Sequence, residues 1–334
     1  MAEIVLGLGT SHSPQMNTPV EQWDLHAERD RSNPELWFRG RAYQFDELET
    51  EMLAMHPGLA AELEPSTWAD QLARAHAATA RLKGALSQAA PDVVVIVAND
   101  HREMLEVNLP SLSIYWGDSI DSIPIPEEEV SESIRPALKA RQKEFVESYP
   151  CVPDLGLHLI ESFTQEHFDV AEISVQPAGK GIGHGFTHIR LLLMDDPIPM
   201  VPVIINSYYP PNQPTATRCI EFGQALERAI SAWRDPRRVA VVASGGLSHF
   251  VVDEEWDRRV LDALGARDWA TIAKIRDEEM MQGTAEVRHW IAAGAALADL
   301  EMEVVDYIPA YRSTAGTGCG LGFALWTAGE KRGI

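Results

Sequence analysis

Val239-Ala240-Val241-Val242-Ala243 runs without a polar interruption into Ser244-Gly245-Gly246-Leu247-Ser248-His249. A short β-branched apolar run bounded by glycines reads as a buried strand, and its polar ending as the turn where the chain leaves the sheet. The same arrangement occurs twice more. Residues 4–8 (Ile-Val-Leu-Gly-Leu) run into Gly9-Thr10-Ser11-His12-Ser13-Pro14, and residues 93–97 into Ala98-Asn99-Asp100-His101. Residues 201–205 form a fourth run of this type. Segments 69–86, 136–148, 218–234 and 284–300 carry helical spacing, so strands alternate with helices. This predicts an α/β fold with a central, mainly parallel or mixed sheet flanked by helices. Ser66 is placed to cap the first of these helices, and Asp235-Pro236 to end the third.

Residues 17–68 depart from the pattern: they are rich in Trp, Glu, Asp and Met and contain no strand-like run. They predict a helical insertion after the first strand, longer than a crossover needs, forming a peripheral layer, a lid or a dimer contact. Residues 113–116 are strand-like, and the Pro-Glu-rich stretch 122–129 reads as an exposed loop. The 334 residues are expected to make one domain spanning 1–334.

Composition removes several classes of function. With 45% hydrophobic and 23% charged residues the chain is of ordinary globular type. A net charge of −22 repels phosphate backbones and anionic membrane surfaces, so neither nucleic acid nor a membrane is an expected partner. No apolar run reaches the roughly 18 residues of a spanning helix. The N-terminal Met-Ala-Glu-Ile-Val lacks the basic segment and apolar core of a signal peptide, which predicts a cytoplasmic protein. Cys151, Cys219 and Cys319 are widely spaced and odd in number, fitting reduced structural residues and not a disulfide framework.

The chemistry gathers at the strand ends. In open α/β sheets ligands bind at the C-terminal ends of the strands, so His12, His101 and His249 converge if their strands are parallel neighbours. Converging imidazoles suit a metal or acid-base site. Gly245 and Gly246 permit a tight turn with the backbone close to a ligand. A metal site wants a carboxylate too, and Glu286 opens the apolar segment 284–300, where it serves either as a ligand or as a favourable charge at a helix start. Two histidines and a carboxylate make the facial triad of non-haem Fe(II) oxygenases. The glycine-rich stretch 179–188 lacks the ending of a phosphate loop and is expected as a flexible loop presenting His184 to the cleft, with His188, four residues on, either near it or at the surface.

The ordered set of motifs, Gly-Thr-Ser-His-Ser-Pro at 9–14, Asn-Asp-His at 99–101, His-Gly at 184–185, Gly-Gly-Leu-Ser-His at 245–249 and Glu286 four residues before Trp290, resembles the class III extradiol dioxygenases, the relatives of the catalytic subunit of protocatechuate 4,5-dioxygenase. The resemblance runs from His12 to about Gly320. It implies that His12, His101 and Glu286 hold Fe(2+), that His249 is the acid-base residue, and that His184 meets bound O2 or a substrate hydroxyl. It implies as substrate a catecholic aromatic acid of lignin-derived type, such as gallate, 3-O-methylgallate, protocatechuate or a hydroxylated biphenyl dicarboxylate, and a homodimer as the assembly. Residues 307–318 occupy the place where the family positions the ring carboxylate, which makes Arg312 the candidate anchor. Tyr208, Tyr209 and Tyr311 are candidates to stack on the ring or bond to it. Asp100 and Ser248 are candidates to orient the neighbouring imidazoles. Where the family's enzyme has a separate helical subunit over its site, residues 17–68 would supply a built-in lid. Two other readings use the same residues: a zinc hydrolase and a non-enzymatic binding protein on the same scaffold.

Overall fold

A computed structural model describes residues 1–329; residues 330–334, the end of the expected 1–334 domain, lie outside the described residues. The centre is a nine-stranded mixed sheet. Its path runs His249–Val251, Thr317–Thr327, Glu3–Thr10, Arg238–Ser244, Val93–Ala98, Met200–Ile205, Leu112–Tyr115 and Ala171–Ile173, with Glu301–Tyr311 paired antiparallel to Thr317–Thr327 off this path. The three histidine-bearing strands are parallel neighbours in the middle: Thr10 aligns with Ser244, and Ala243 with Val97. Their C-terminal ends therefore open on one edge of the sheet.

Side chains alternate across the sheet and build a core on each face. Val93, Val95, Val97, Val239 and Val241 pack under the helices Pro153–Gln165, Ala216–Ala232, Glu254–Gly265 and Val287–Ala296. Val94, Ile96, Ala240, Val242, Leu6 and Leu8 face the helices Pro65–Ala89 and His184–Leu193. The Val287–Ala296 helix lies close against the sheet because Gly9 has no side chain: a Cβ there would sit 2.6 Å from the ring of the fully buried Trp290. Losing a buried tryptophan costs about 3–5 kcal/mol, so this contact is a large local term.

Three expectations need correction. The insertion 17–68 is not wholly helical: between the helices Asp24–Arg31 and Phe45–Met55 lies a hairpin, Leu36–Phe38 with Arg41–Tyr43. Its strands are too short for a periodic signal and are held by tertiary contacts, Leu36, Phe38 and Tyr43 joining Met52, Val251 and Tyr311 in a small separate core. Segment 136–148 forms only a 3-10 turn, Arg135–Ala140, then the strand Glu147–Pro150 against Ser119–Ser122, because the polar run from Lys139 to Glu144 offers no stripe to bury. The helix over 69–86 starts at Pro65 with Glu64 at its cap and Ser66 inside its first turn, since proline is preorganised for the first helical position. The helix predicted at 284–300 is Val287–Ala296.

Candidate metal centre and active site

Glu286 stands just before the Val287–Ala296 helix, and the first turn of that helix clasps the loop after the Arg238–Ser244 strand. Gly246 N–H donates to Glu286 Oε2 at 2.9 Å, His289 Nδ1 to the Ser244 carbonyl at 2.7 Å, and Trp290 Nε1 to the Gly245 carbonyl at 2.7 Å. Glu286 and Trp290 are four residues apart and share one face, which is why both reach the same loop. Gly245 makes this possible, with φ of 109° and no Cβ, which would overlap the Glu286 carboxylate and come within 3.0 Å of His12 Cε1.

Around this carboxylate the strand-end imidazoles assemble. His101 Nε2 lies 2.9 Å from Glu286 Oε1, His12 Nε2 3.3 Å from the same oxygen, and His249 Nε2 3.9 Å from Oε2. Donor atoms of His12, His101 and His184 all lie within 4.8 Å of one another. Ser244 Oγ donates to the Gly185 carbonyl at 2.6 Å, so it accepts from His12 Nδ1 at 3.1 Å and leaves the His12 Nε2 lone pair facing the cluster. His249 Nδ1 donates to the Leu247 carbonyl at 3.1 Å, which frees its Nε2 in the same way. His12 and His101 with the Glu286 carboxylate, His12 and Glu286 each held on the outer side by a hydrogen bond, fit the donor set of a divalent transition metal.

The electrostatics follow from burial and proximity. Burial alone would raise Glu286, but His12, His101 and His249 outweigh it and hold the carboxyl well below its usual range. Burial works against a charge on His101, and Glu286 overcomes it, raising the imidazole. His249 is lowered, chiefly by burial, which favours its neutral form.

His184 opens the His184–Leu193 helix instead of riding a flexible loop, and it is held by a residue the sequence did not single out. Glu103 accepts from His184 Nδ1 at 2.9 Å and from its backbone N–H at 3.0 Å. Burial would raise Glu103, but His184 and Arg141 bring it to about 2, while burial and Arg141 bring His184 down to about 3. The pair is therefore a carboxylate accepting from a neutral imidazole. Of the two places open to His188, the structure shows the interior: it is 1% exposed on the same helix, its ring centroid 6.1 Å from that of His12.

A model of the catalytic LigB subunit of aromatic ring-opening dioxygenases matches residues 52–322. The chain belongs to this family. Over 120 residues, 33% of this chain and 34% of the relative, it is 36% identical to a gallate dioxygenase of Pseudomonas putida, so the chain matches about a third of that protein's length. An uncharacterized Escherichia coli K12 protein, JW3007, is similar in structure over 74% of this chain and 91% of its own at 14% identity, with a TM-score of 0.41, too slight a likeness to carry an argument. Among the described residues no helix is long and apolar enough to cross a membrane.

In this LigB-family chain the cluster opens into a cavity of about 300 Å³. His12, His101, His184, His249 and Glu286 line it, together with Ser13 and Pro14 and, from the insertion, His26 and Arg29. Arg312 also borders it, but its fork is occupied: Nε and Nη2 donate to Asp30 at 2.5 and 2.9 Å, and Nη1 to Gln15 at 3.0 Å. Tyr311 is buried in the small core with its hydroxyl on Glu254, away from the cavity. Tyr208 lies edge-on to His101 at 5.6 Å between centroids, and its hydroxyl donates to Gln282 at 2.6 Å. Tyr209 packs edge-on to Tyr208 and under the guanidinium of Arg102.

The two residues expected to orient imidazoles make their hydrogen bonds to other groups. Asp100 accepts from the N–H groups of Glu103, Met104 and Leu105 and so sets the loop that carries Glu103. Ser248 donates to Asp257 at 2.6 Å and accepts from Asp253 N–H at 3.0 Å, fixing the turn before His249. Local composition could not reveal Glu103 or Arg141, which lie in irregular segments. The three cysteines are free, and burial pushes the Cys319 thiol at the cavity wall up to about 12.

Proposed function

We propose that this protein is a non-haem Fe(II) extradiol dioxygenase that opens the ring of a catecholic aromatic acid beside its diol. The observation that carries the reading is the approach of His12 and His101 to one oxygen of Glu286, at 3.3 and 2.9 Å, with the free Nε2 of His249 beside them. In this reading His12, His101 and Glu286 hold the iron, which when bound supplies open positions for an ortho-diol and O2 and a path for electrons between them.

The remaining steps belong to the chain's own side chains. His249 Nε2 takes a proton from a substrate hydroxyl and later returns it to the departing oxygen, with the Leu247 carbonyl holding the ring in the required tautomer. His184, braced by Glu103 and 4.8 Å from His12 between ring centroids, presents Nε2 to the other side of the bound substrate. His26 and Arg29 line the cavity from the insertion 17–68, which serves as a cover over the site. Membership in the ring-opening family and the partial likeness to a gallate dioxygenase support an aromatic acid as substrate. Gallate, 3-O-methylgallate, protocatechuate and a hydroxylated biphenyl dicarboxylate are the substrates we propose, with a homodimer as the assembly.

The same donors also suit zinc and a hydrolytic reaction, so the test compares metals. Metal-free protein reloaded anaerobically with Fe(II) or with Zn(II) is challenged with these catechols in an oxygen electrode. Uptake of O2 with Fe(II) alone is the expected result; no uptake with either metal would contradict the proposal.

A further inference from the structure

Three arginines border the cavity, and their situations differ. Arg312 is spent on Asp30 and Gln15. Arg29 is exposed to solvent on the insertion, its guanidinium 6.0 Å from the ring of Phe250. Arg141 is half-buried, with the charge of Glu103 opposing the cost of its burial. Its Nε is buried without a hydrogen-bond partner, and among the described residues its side chain makes no salt bridge. The nearby carboxylates are committed elsewhere: Glu103 gives both oxygens to His184, and Glu286 gives one to the histidines and one to Gly246.

A buried guanidinium nitrogen without a hydrogen-bond partner is costly, and a fold keeps one where a ligand supplies the missing acceptor. Burial accordingly pulls the Arg141 guanidinium below its usual range, with the charge on Glu103 opposing. Its place is also fixed, because Thr187 Oγ1 donates to the Arg141 carbonyl and so ties it to the helix that begins with His184. A second cavity, of about 490 Å³, shares Ile134, Arg141 and His184 with the first, so Arg141 stands where the two meet.

We infer that Arg141, and not Arg312, is the residue that binds the substrate's carboxylate and so sets the preference for an acidic catechol. This deepens the ring-cleavage reading and rests on it. The planar fork presents paired donors that match a carboxylate, and among the described residues no carboxylate forms a salt bridge with Arg141. An anchor remote from the reacting atoms holds ground state and transition state alike, so its loss raises KM and leaves kcat nearly unchanged.

The test uses Fe(II)-loaded protein, wild type and the variants Arg141→Met and Arg141→Lys, with 3,4-dihydroxybenzoate and its neutral analogue 4-methylcatechol. Kd comes from anaerobic titration, and KM and kcat from O2 uptake. Arg141→Met is expected to weaken Kd and raise KM for the acid by about 10- to 100-fold, to change the neutral catechol less than about twofold, and Arg141→Lys to recover part of the loss. Equal losses for both substrates would mark Arg141 as merely structural and overturn the inference, as would no loss for either. If Arg141→Met does not fold, Arg141→Lys decides alone, by whether its loss is confined to the acid. Wild type that binds neither catechol would overturn the ring-cleavage reading and the anchor with it, a result distinct from a working enzyme indifferent to Arg141.

Discussion

Oε1 of Glu286 lies 2.9 Å from Nε2 of His101, although 185 residues separate the two in sequence. The contact joins a helix start to a strand end, and Gly246 N–H on the other oxygen fixes the carboxylate's direction. Replacing Glu286 by Gln keeps the size and the contact with Gly246 but removes the charge. Affinity for a divalent metal, measured by equilibrium dialysis, is expected to fall at least tenfold. Wild-type affinity in this variant would take Glu286 out of the metal site.

His249 is proposed for proton transfer and not for ligation, and its Nε2 stands farther from Glu286 than either of the other two imidazoles. His249→Ala should keep its full metal content by elemental analysis while kcat drops about 100-fold or more. A variant stripped of metal would instead make His249 a ligand.

Arg312 is read as structural, through its fork on Asp30 and its bond to Gln15. Cutting one partner of a buried pair leaves the other charge stranded, so Arg312→Met should lose about 3–5 kcal/mol in urea unfolding. The double variant Arg312→Met with Asp30→Leu should regain much of that loss. A stable single variant with weakened substrate binding would return the anchor to Arg312.

Much of the fold can be read from sequence, for physical reasons. Buried parallel strands such as 93–97 must be apolar on both faces, so they appear as uninterrupted runs, and a sheet of such strands gathers its loops, with His12, His101 and His249, at one edge. What escapes is set by distance in the chain. The partner of Arg312, Asp30, sits inside the insertion; the support of His184, Glu103, sits in a loop after another strand; and the hairpin at Leu36–Phe38 exists because Val251 and Tyr311 pack on it. No local pattern encodes these contacts. Arg141 was hidden for a related reason, lying in a polar stretch that resembles an exposed helix face.

His26 gives a pH dependence of stability. It is buried, it donates to the Thr18 hydroxyl at 3.1 Å, and burial, with the charges of Arg312 and Arg29, lowers it to about 3 from 6.5. The unfolded chain takes up a proton as pH falls below 6.5 and the folded chain does not until near 3. This contribution is therefore whole above 6.5 and is lost through that window as pH falls, by at most about 1.4 kcal/mol per pH unit. In urea unfolding of the metal-free protein, His26→Asn should flatten the fall in stability between pH 7 and 5, leaving the part due to the other lowered histidines, His184, His188, His249 and His289. An unchanged slope would show that His26 does not titrate this way.

The central claim is that O2 is split into the substrate ring, and isotope labelling tests it most directly. Fe(II)-loaded protein turns over 3,4-dihydroxybenzoate or gallate under isotopically labelled O2, and the product is weighed by mass spectrometry. A ring-opened product carrying both labelled oxygen atoms is expected at early times, before carboxylate or aldehyde exchange with water. A product with oxygen drawn only from water would contradict it and return the site to hydrolysis.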